Sequence, residues 1–525
     1  MSSSQHTVLA WMSTRRRPRL PLLLLGIAVC CALWLLFAAH RLDYVADDAF
    51  ILFRHVLQHS RGLGMMFDPG HPVQAHSSVA WAYLLRLGVL VGFSIEDSAR
   101  FLGPLFAVFA VLSFTVLLWS KLNMRRLLIA LLCFVSFPPL VLWASGGLET
   151  PLALWLALFF VNLVGHGCEA DTPEQTERER FKRWMGAVLV GVVSPFVRLD
   201  LPLQLLCGLL CLFVFLPRTR KQLPVVFLAF ALGIAAHVAV HRMTYGAALA
   251  VPVATKFRIE PRNLLRYGRY VLQDAPQLVP LGVLLLHLLW KNGRQVVRQD
   301  PVVLLSLGVG AAAVLEAALL GGDELSRGRF LMFPFAFGLL AVFRLLQGTR
   351  FPKGKRYGIL LSLFLLSAAQ TGWALSKEGD QPCSTFRRAA GVWLSEHTTP
   401  DFSIAVAPAG YIPFFADRST VDLMGLAHPK IGRLTVERGS EAWGEAATEI
   451  AIAENVCAVL LVVCDSPIVD PREHCEHKTL RGIVAALRRH PEYQHVSVGL
   501  EIGKPLRFAV SSACLGRIKL PKRLL

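Results

Sequence analysis

The sequence predicts an all-α polytopic membrane domain of about eleven transmembrane helices, followed by a small extracytoplasmic α/β domain. Three observations carry this reading. The 525 residues are 54% hydrophobic and 17% charged, with a mean hydropathy of +0.50, which excludes an ordinary soluble protein. Apolar runs recur as far as residue 375, and beyond about Ser376 the hydropathy falls and shorter alternating runs take over. The net charge of +18 comes from basic residues clustered between the apolar runs. That is the positive-inside pattern of membrane topology, and with no nucleic-acid-binding motif present it points to membrane lipids and excludes nucleic acid as a partner.

Taken in order, Arg15, Arg16, Arg17 and Arg19 precede an apolar run at 20–39 that lacks a small-residue cleavage pattern. This reads as an uncleaved first span with a cytoplasmic N-terminus. Further runs lie at 98–119, 127–144, 151–165, 185–197, 201–216, 223–240, 277–290, 301–320, 330–346 and 357–375. The run at 77–92 is ambiguous, and the loops decide it. Basic clusters sit at Lys121/Arg125/Arg126, Arg178–Arg183, Arg218/Arg220/Lys221, Lys291/Arg294/Arg298 and Arg350/Lys353/Lys355/Arg356. If 77–92 lies as a helix on the outer surface, all five clusters face the cytoplasm with the N-terminus. The organisation expected is a membrane domain over 1–375, with a first outer loop at 40–97, and an extracytoplasmic domain over 376–525.

In that second domain, β-like runs at 402–407, 456–463, 495–498 and 507–510 alternate with helix-like stretches at 385–397 and 480–489. Cysteines in the spans behave as small hydrophobes. Cys383, Cys457, Cys464, Cys475 and Cys514 fall in the C-terminal region, where Cys464 with Cys475 is the simplest disulfide.

The same parity puts the remaining polar islands on one outer face: Asp47/Asp48, Gly146–Thr150, Arg198–Asp200, the loop from His241 to Asp274, and Gly321 through Arg329. Loops are polar in any case, so each island alone reads as structural; their convergence on one face points to a site. Asp47 and Asp48 stand at its centre, directly after the first span. They read either as a wet helix start, where Asp is favoured, or as a general base or metal ligand at the mouth of a membrane cavity.

Several of these residues carry a resemblance. Asp47-Asp48-Ala49-Phe50-Ile51, Arg54, Gly62, Gly64, Phe67, Pro69-Gly70 and Ser77-Ser78 before Trp81 resemble the first outer loop of GT-C membrane glycosyltransferases. The resemblance runs on through Gly147-Leu148-Glu149-Thr150-Pro151, Arg198 with Asp200, Tyr245-Gly246 with Lys256, Gly321-Gly322-Asp323 with Arg329-Phe330, and Asp422-Leu423-Met424-Gly425-Leu426. The subgroup it resembles is that of the mycobacterial terminal arabinofuranosyltransferases, with protein O-mannosyltransferases as more distant kin. The chain departs from the family at Gln58 and Asp68 (Asn), Leu199 and Leu201 (Pro and Gly), 249–252 (a Leu-Pro-Asn-Thr run) and His428 (Asp).

The resemblance implies an inverting glycosyltransferase in a bacterial inner membrane, serving cell-envelope biogenesis. It would pass a pentosyl or hexosyl group from a polyprenyl-phosphate donor to a hydroxyl of an envelope glycan, glycolipid or protein. It implies Asp47 or Asp48 as catalytic base, with Asp47 slightly ahead. Lys256, Arg329, Arg198 and His241 are implied on the donor phosphate, and Arg54, Glu149, Asp200, Tyr245 and Asp323 on substrate. No cofactor is certain, and a divalent cation, with Asp48 among its ligands, stays open. The surface helix and the 241–275 loop would flank the cavity and guide the lipid tail, and Trp81, Tyr83, Tyr267 and Tyr270 fit an interfacial aromatic belt as readily as sugar stacking, with the belt the reading for most of them. The alternatives are a lipid-linked sugar flippase or transporter, for which Glu316 inside a span is the one feature, and a non-catalytic subunit of an envelope polysaccharide assembly complex.

Overall fold

The computed structural model describes residues 20–42, 44–69, 73–119, 121–168, 177–248, 250–251, 253, 260–296, 300–323, 327–347, 353–376, 382–434, 440–462, 473–502 and 504–520. The described residues begin with helix α1 (Leu20–Leu42), which meets α2 (Asp47–Ser60) at 98°. Next come α3 (Val79–Leu90), α4 (Ile95–Trp119), α5 (Met124–Val135), α6 (Pro138–Ser145), α7 (Thr150–Gly167), α8 (Glu177–Val197), α9 (Leu201–Phe215) and α10 (Leu223–Tyr245). The helical part closes with α11 (Asn263–Asp274), α12 (Leu278–Val296), α13 (Pro301–Leu320), α14 (Met332–Leu345) and α15 (Lys353–Ser376).

Every apolar run expected to span is helical. Among the described residues, four helices are long and apolar enough to cross a membrane by themselves, or up to seven if each bent pair is one span. The 25 residues of α4 rise about 37 Å, enough for a hydrocarbon core of about 30 Å. The third run is broken by 55° between α5 and α6, where Pro138 opens a new helix because it has no N–H to donate. The run at 77–92 forms α3, whose N-cap Ser78 accepts from the Trp81 N–H. Two corrections follow. The stretch expected as one loop from His241 to Asp274 includes the end of α10 and the amphipathic α11, which exposes Leu264, Leu265 and Leu272 while burying Tyr270. Trp81 and Tyr270, expected in an aromatic belt, are fully buried; Tyr83 is half exposed.

Helices α9 and α13 cross closely because Gly208 and Gly308 meet there; a Cβ at Gly308 would overlap the backbone of Cys207 and Gly208. Small residues let membrane helices approach in this way.

The C-terminal region begins with α16 (Pro382–His397) and builds a five-stranded sheet from β1 (Ile404–Val406), β2 (Thr420–Asp422), β3 (Ala458–Leu460), β4 (Tyr493–Gly499) and β5 (Pro505–Ser511). The order is β2-β1-β3-β5-β4, with β2, β1 and β3 parallel and β5 and β4 antiparallel to their neighbours. Alternation along β1 divides the core: Ile404 and Val406 face α16 and α17 (Tyr411–Ala416), while Ala405 faces α19 (Glu441–Ala453) and α20 (Glu473–Leu487), the short α18 (Pro429–Gly432) lying between. The strands expected from sequence are present. β2 was not expected; its three residues are too few to show an alternation. Cys457 forms a disulfide with Cys514, joining the start of β3 to the end of β5. Cys464 and the Cys475 side chain, the pair expected to bond, lie outside the described residues.

Candidate active site where the first outer helix meets the C-terminal region

The site is organised by the turn between α1 and α2. The Ala46 N–H donates to the Gly146 carbonyl at 3.0 Å, and Trp81 Nε1 donates to the Gly147 carbonyl at 2.9 Å, so the 146–150 island is bound against the start of α2. Gly147 has a φ of 82°, and a Cβ there would meet Val45 and Ala49. Both acids therefore open a helix, where N–H groups favour negative charge.

The two carboxylates differ in what they face. Asp47 accepts from the backbone N–H of Gly410 at 3.0 Å and of Tyr411 at 3.2 Å, and Arg387 Nη1 lies 3.5 Å away. Burial nevertheless pushes its carboxyl above the usual range, against Arg387 and the two amides. The Asp48 charge acts on Tyr44 and Arg329. The Arg327 guanidinium covers the Tyr44 ring at 4.0 Å.

Arg329 pairs with Asp323, its Nε 2.8 Å from Oδ2, and its Nη2 donates to Oδ1 at 3.1 Å. Arg198 is bidentate to Asp200, with Nε to Oδ1 at 2.9 Å and Nη2 to Oδ2 at 2.6 Å. The Phe330 ring lies 5.6 Å from the Arg198 guanidinium and 5.3 Å from that of Arg329. Glu149 is 1% exposed; Oε1 accepts from Ser77 at 3.4 Å, Oε2 has no hydrogen-bond partner, and its charge acts on both arginines. Glu316 is tied to this cluster, accepting from Gln204 Nε2 at 2.7 Å, and Gln204 also reaches Asp200. The loop carrying Arg327 to Phe330 is held by Asp274, which accepts from the Gly328 N–H, by the Tyr270 hydroxyl, which accepts from the Phe330 N–H, and by Trp143 Nε1, which donates to the Arg327 carbonyl.

Asp48, Glu149, Arg198, Asp200, Asp323 and Arg329 are thus brought together as expected, from four separate islands. Arg54 is not. It is 1% exposed, donates to the carbonyls of Phe67, Pro413 and Arg418, and pairs with Asp68 at 2.7 Å, so it clamps the first outer loop to the C-terminal region instead of facing a substrate. Tyr245 donates to the Met65 carbonyl at 2.6 Å beside the His241 ring. Lys256 lies outside the described residues. Asp422 is buried and accepts from the N–H groups of Met424 and Ala427, which shapes a turn; His428 caps α18, a role Asp fills equally well. Tyr44, Trp143 and Arg387 were missed. Tyr44 lies three residues before Asp47, while nothing near Arg387 in sequence marks it. Among the described residues, no group of three or more His, Cys, Asp or Glu side chains is arranged to hold a metal ion.

A domain of unknown function (DUF8728) matches residues 379–502. A terminal β-(1→2)-arabinofuranosyltransferase of Corynebacterium glutamicum is 29% identical over 143 residues, covering 26% of this chain and 21% of that protein. Its namesake from Mycobacterium tuberculosis is 32% identical over 120 residues, covering 21% and 19%. The chain therefore spans about a fifth of the curated relatives it matches. In three dimensions, ArnT from Cupriavidus metallidurans aligns with a TM-score of 0.57 at 12% identity over 93% of this chain and 98% of that one; it has also been solved bound to undecaprenyl phosphate. The oligosaccharyltransferase AglB from Archaeoglobus fulgidus, solved with an inhibitory peptide and a dolichol-phosphate, aligns with a TM-score of 0.54 at 13% identity over 93% and 74%. The chain resembles GT-C glycosyltransferases, including the arabinofuranosyltransferase group, and shares their fold.

Proposed function

We propose that this GT-C-like chain is an integral-membrane glycosyltransferase that moves a sugar from a polyprenyl-phosphate donor to an acceptor hydroxyl of an envelope glycan, glycolipid or protein. The observation that carries the reading is that the Asp48 charge acts on Arg329 while Asp47 is occupied by the C-terminal region. In one displacement the acceptor oxygen attacks the anomeric carbon, the bond to the phosphate oxygen breaks, and the anomeric centre inverts. Asp48 takes the acceptor proton, a contribution of about 10²–10⁴ in rate. The charge that develops on the leaving phosphate meets Arg329 and Arg198, whose Asp partners and shared Phe330 hold them in place before the reaction. A stabilised phosphate leaves without a strong general acid. Glu149, with one oxygen unpartnered, is placed to accept from a sugar hydroxyl.

About eleven spans, a cytoplasmic N-terminus, a bacterial inner membrane and a division near residue 375 belong to the same proposal; they put the site on the extracytoplasmic face. The flippase alternative rests on Glu316, whose link through Gln204 to Asp200 supports counting that acid with the Arg198 cluster. The test compares envelope glycans and glycolipids by mass from cells carrying the wild type, Asp48→Asn, Asp47→Asn or no protein, at matched membrane abundance. Loss of one sugar increment in Asp48→Asn, as complete as in the deletion, is the expected result. A wild-type profile in Asp48→Asn would remove its role as base.

A further inference from the structure

Three buried histidines lie near the elements that carry the arginine pairs, and the chemistry above leaves them unassigned. His76 lies at the end of the first outer loop, and His237 and His241 stand one turn apart on α10. All three are buried, with 5%, 1% and 3% of their surface exposed. Among the described residues, neither ring nitrogen of His237 nor Nε2 of His241 has a hydrogen-bond partner, and the His76 nitrogens have none of ordinary geometry, with only the Ser78 backbone near enough to act on that ring. The rings of His237 and His241 stack with centroids 6.3 Å apart, and both residues lie close enough to His76 for their charges to act on it. Phe196, two residues before Arg198, packs against His237 at 5.2 Å, and Ser77 beside His76 donates to Glu149.

A buried polar atom without a partner is costly and uncommon, so such nitrogens on three buried imidazoles call for something to bind. Their hydrogen-bonding character narrows what that is. His241 Nδ1 donates to the Ala247 carbonyl at 2.6 Å, so whenever the ring carries a single proton its Nε2 is an acceptor. Burial, reinforced by the neighbouring His55, holds His76 well below the ordinary histidine range, so its ring is neutral and offers one donor and one acceptor. His55 is itself committed: Nδ1 lies 2.8 Å from the Ile51 carbonyl, and Nε2 lies 3.1 Å from the Val73 carbonyl and 3.2 Å from the Ala75 N–H. Phosphate oxygens accept only, and a bare acceptor gains nothing from them. Hydroxyl groups both donate and accept.

We infer that His76, His237 and His241 form a recess for the hydroxyl groups of a neutral sugar ring, so that His241 serves sugar recognition and not the donor phosphate as the sequence suggested. The inference rests on the glycosyltransferase reading and supplies its sugar subsite. The sugar comes either from the donor's glycosyl group or from the acceptor glycan.

The test is saturation-transfer NMR on the full chain in lipid nanodiscs. The probes are methyl pentofuranosides, methyl hexopyranosides, a polyprenyl-phosphate monosaccharide, bare polyprenyl phosphate and inorganic phosphate. In the double variant His76→Phe/His237→Phe, which keeps ring volume and removes the polar atoms, sugar binding weakens by about tenfold or more. Binding of bare polyprenyl phosphate stays unchanged, and the melting temperature holds or rises, because unpartnered buried polar atoms are removed. His241→Gln, which retains an acceptor oxygen, keeps most of the binding and covers the case of a double variant that folds poorly. Weakening confined to the free glycosides identifies the acceptor as the source; weakening confined to the lipid-linked sugar identifies the donor. Unchanged sugar affinity in the double variant overturns the inference, as does a loss that falls on inorganic phosphate instead. Because the readout is binding, a protein that holds sugars here yet transfers none breaks the transferase reading alone, whereas a transferase indifferent to these substitutions breaks this inference alone.

Discussion

Asp47 caps a helix that starts 364 residues further along the chain, its carboxylate accepting from the Tyr411 N–H at 3.2 Å and from the preceding Gly410 N–H at 3.0 Å. Gly410 is required there, since a Cβ would overlap the Asp47 backbone. The Tyr411 hydroxyl donates back to the Val45 carbonyl at 3.1 Å, and its ring packs on Phe50. The start of α2 is therefore held from both sides, which fixes Asp48 one residue on.

That division separates the two acids by measurement. Asp48→Asn is expected to slow transfer by about 10²–10⁴ with an unchanged melting temperature. Asp47→Asn costs less than about tenfold in turnover but loosens the C-terminal region, which faster limited proteolysis detects, because the Arg387 pair and one amide contact are lost. Equal kinetic losses in both would make the carboxylates one coupled catalytic unit.

Arg54 carries stability. Arg54→Met leaves Asp68 buried without its partner, an expected loss of about 3–5 kcal/mol. Replacing both, as Arg54→Met with Asp68→Leu, recovers most of it. Thermal melting of the detergent-purified protein checks this, and an undiminished melting temperature in the single variant would return Arg54 to the candidate substrate ligands.

Acid should act oppositely on two carboxylates at this junction. The Arg61 hydrogen bonds, at 2.7 and 2.9 Å, hold Asp417 below the ordinary carboxylate range. Its contribution is therefore fully present above about pH 4 and lost as pH falls through the depressed folded value; for a pair this exposed it is about 0.2–1 kcal/mol. Asp47 is raised by burial, so its ionised form costs stability at neutral pH and protonation relieves that cost as pH falls through the raised value. In melting temperatures followed down in pH, Asp417→Asn is expected to flatten the acid limb. High salt should weaken the Arg61 pair while leaving the buried Asp47 contacts intact.

The Cys457–Cys514 bond reports on both stability and orientation. Its reduction is expected to cost about 2–4 kcal/mol, and it forms in an oxidising compartment. Intact mass after alkylation of whole membranes, with and without prior reduction, should show these two thiols protected until reduced. Full alkylation without reductant would place the region in the cytoplasm and reverse the proposed orientation.

Hydropathy located the long apolar helices, because such a helix is specified by its own run of side chains. Short alternating runs marked β1, β3, β4 and β5. Asp47 and Asp48 were conspicuous because two adjacent acids follow directly on the first apolar run. Only the tertiary structure divided their roles, through Gly410, Tyr411 and Arg387, and only it turned Arg54 and Asp422 from candidate site or motif residues into a clamp and a turn. The same holds for the buried nitrogens of His76, His237 and His241. The physical reason is range: hydropathy and helix signals are written in neighbouring residues, whereas a carboxylate's partners and a histidine's neutrality depend on groups that packing brings from far along the chain.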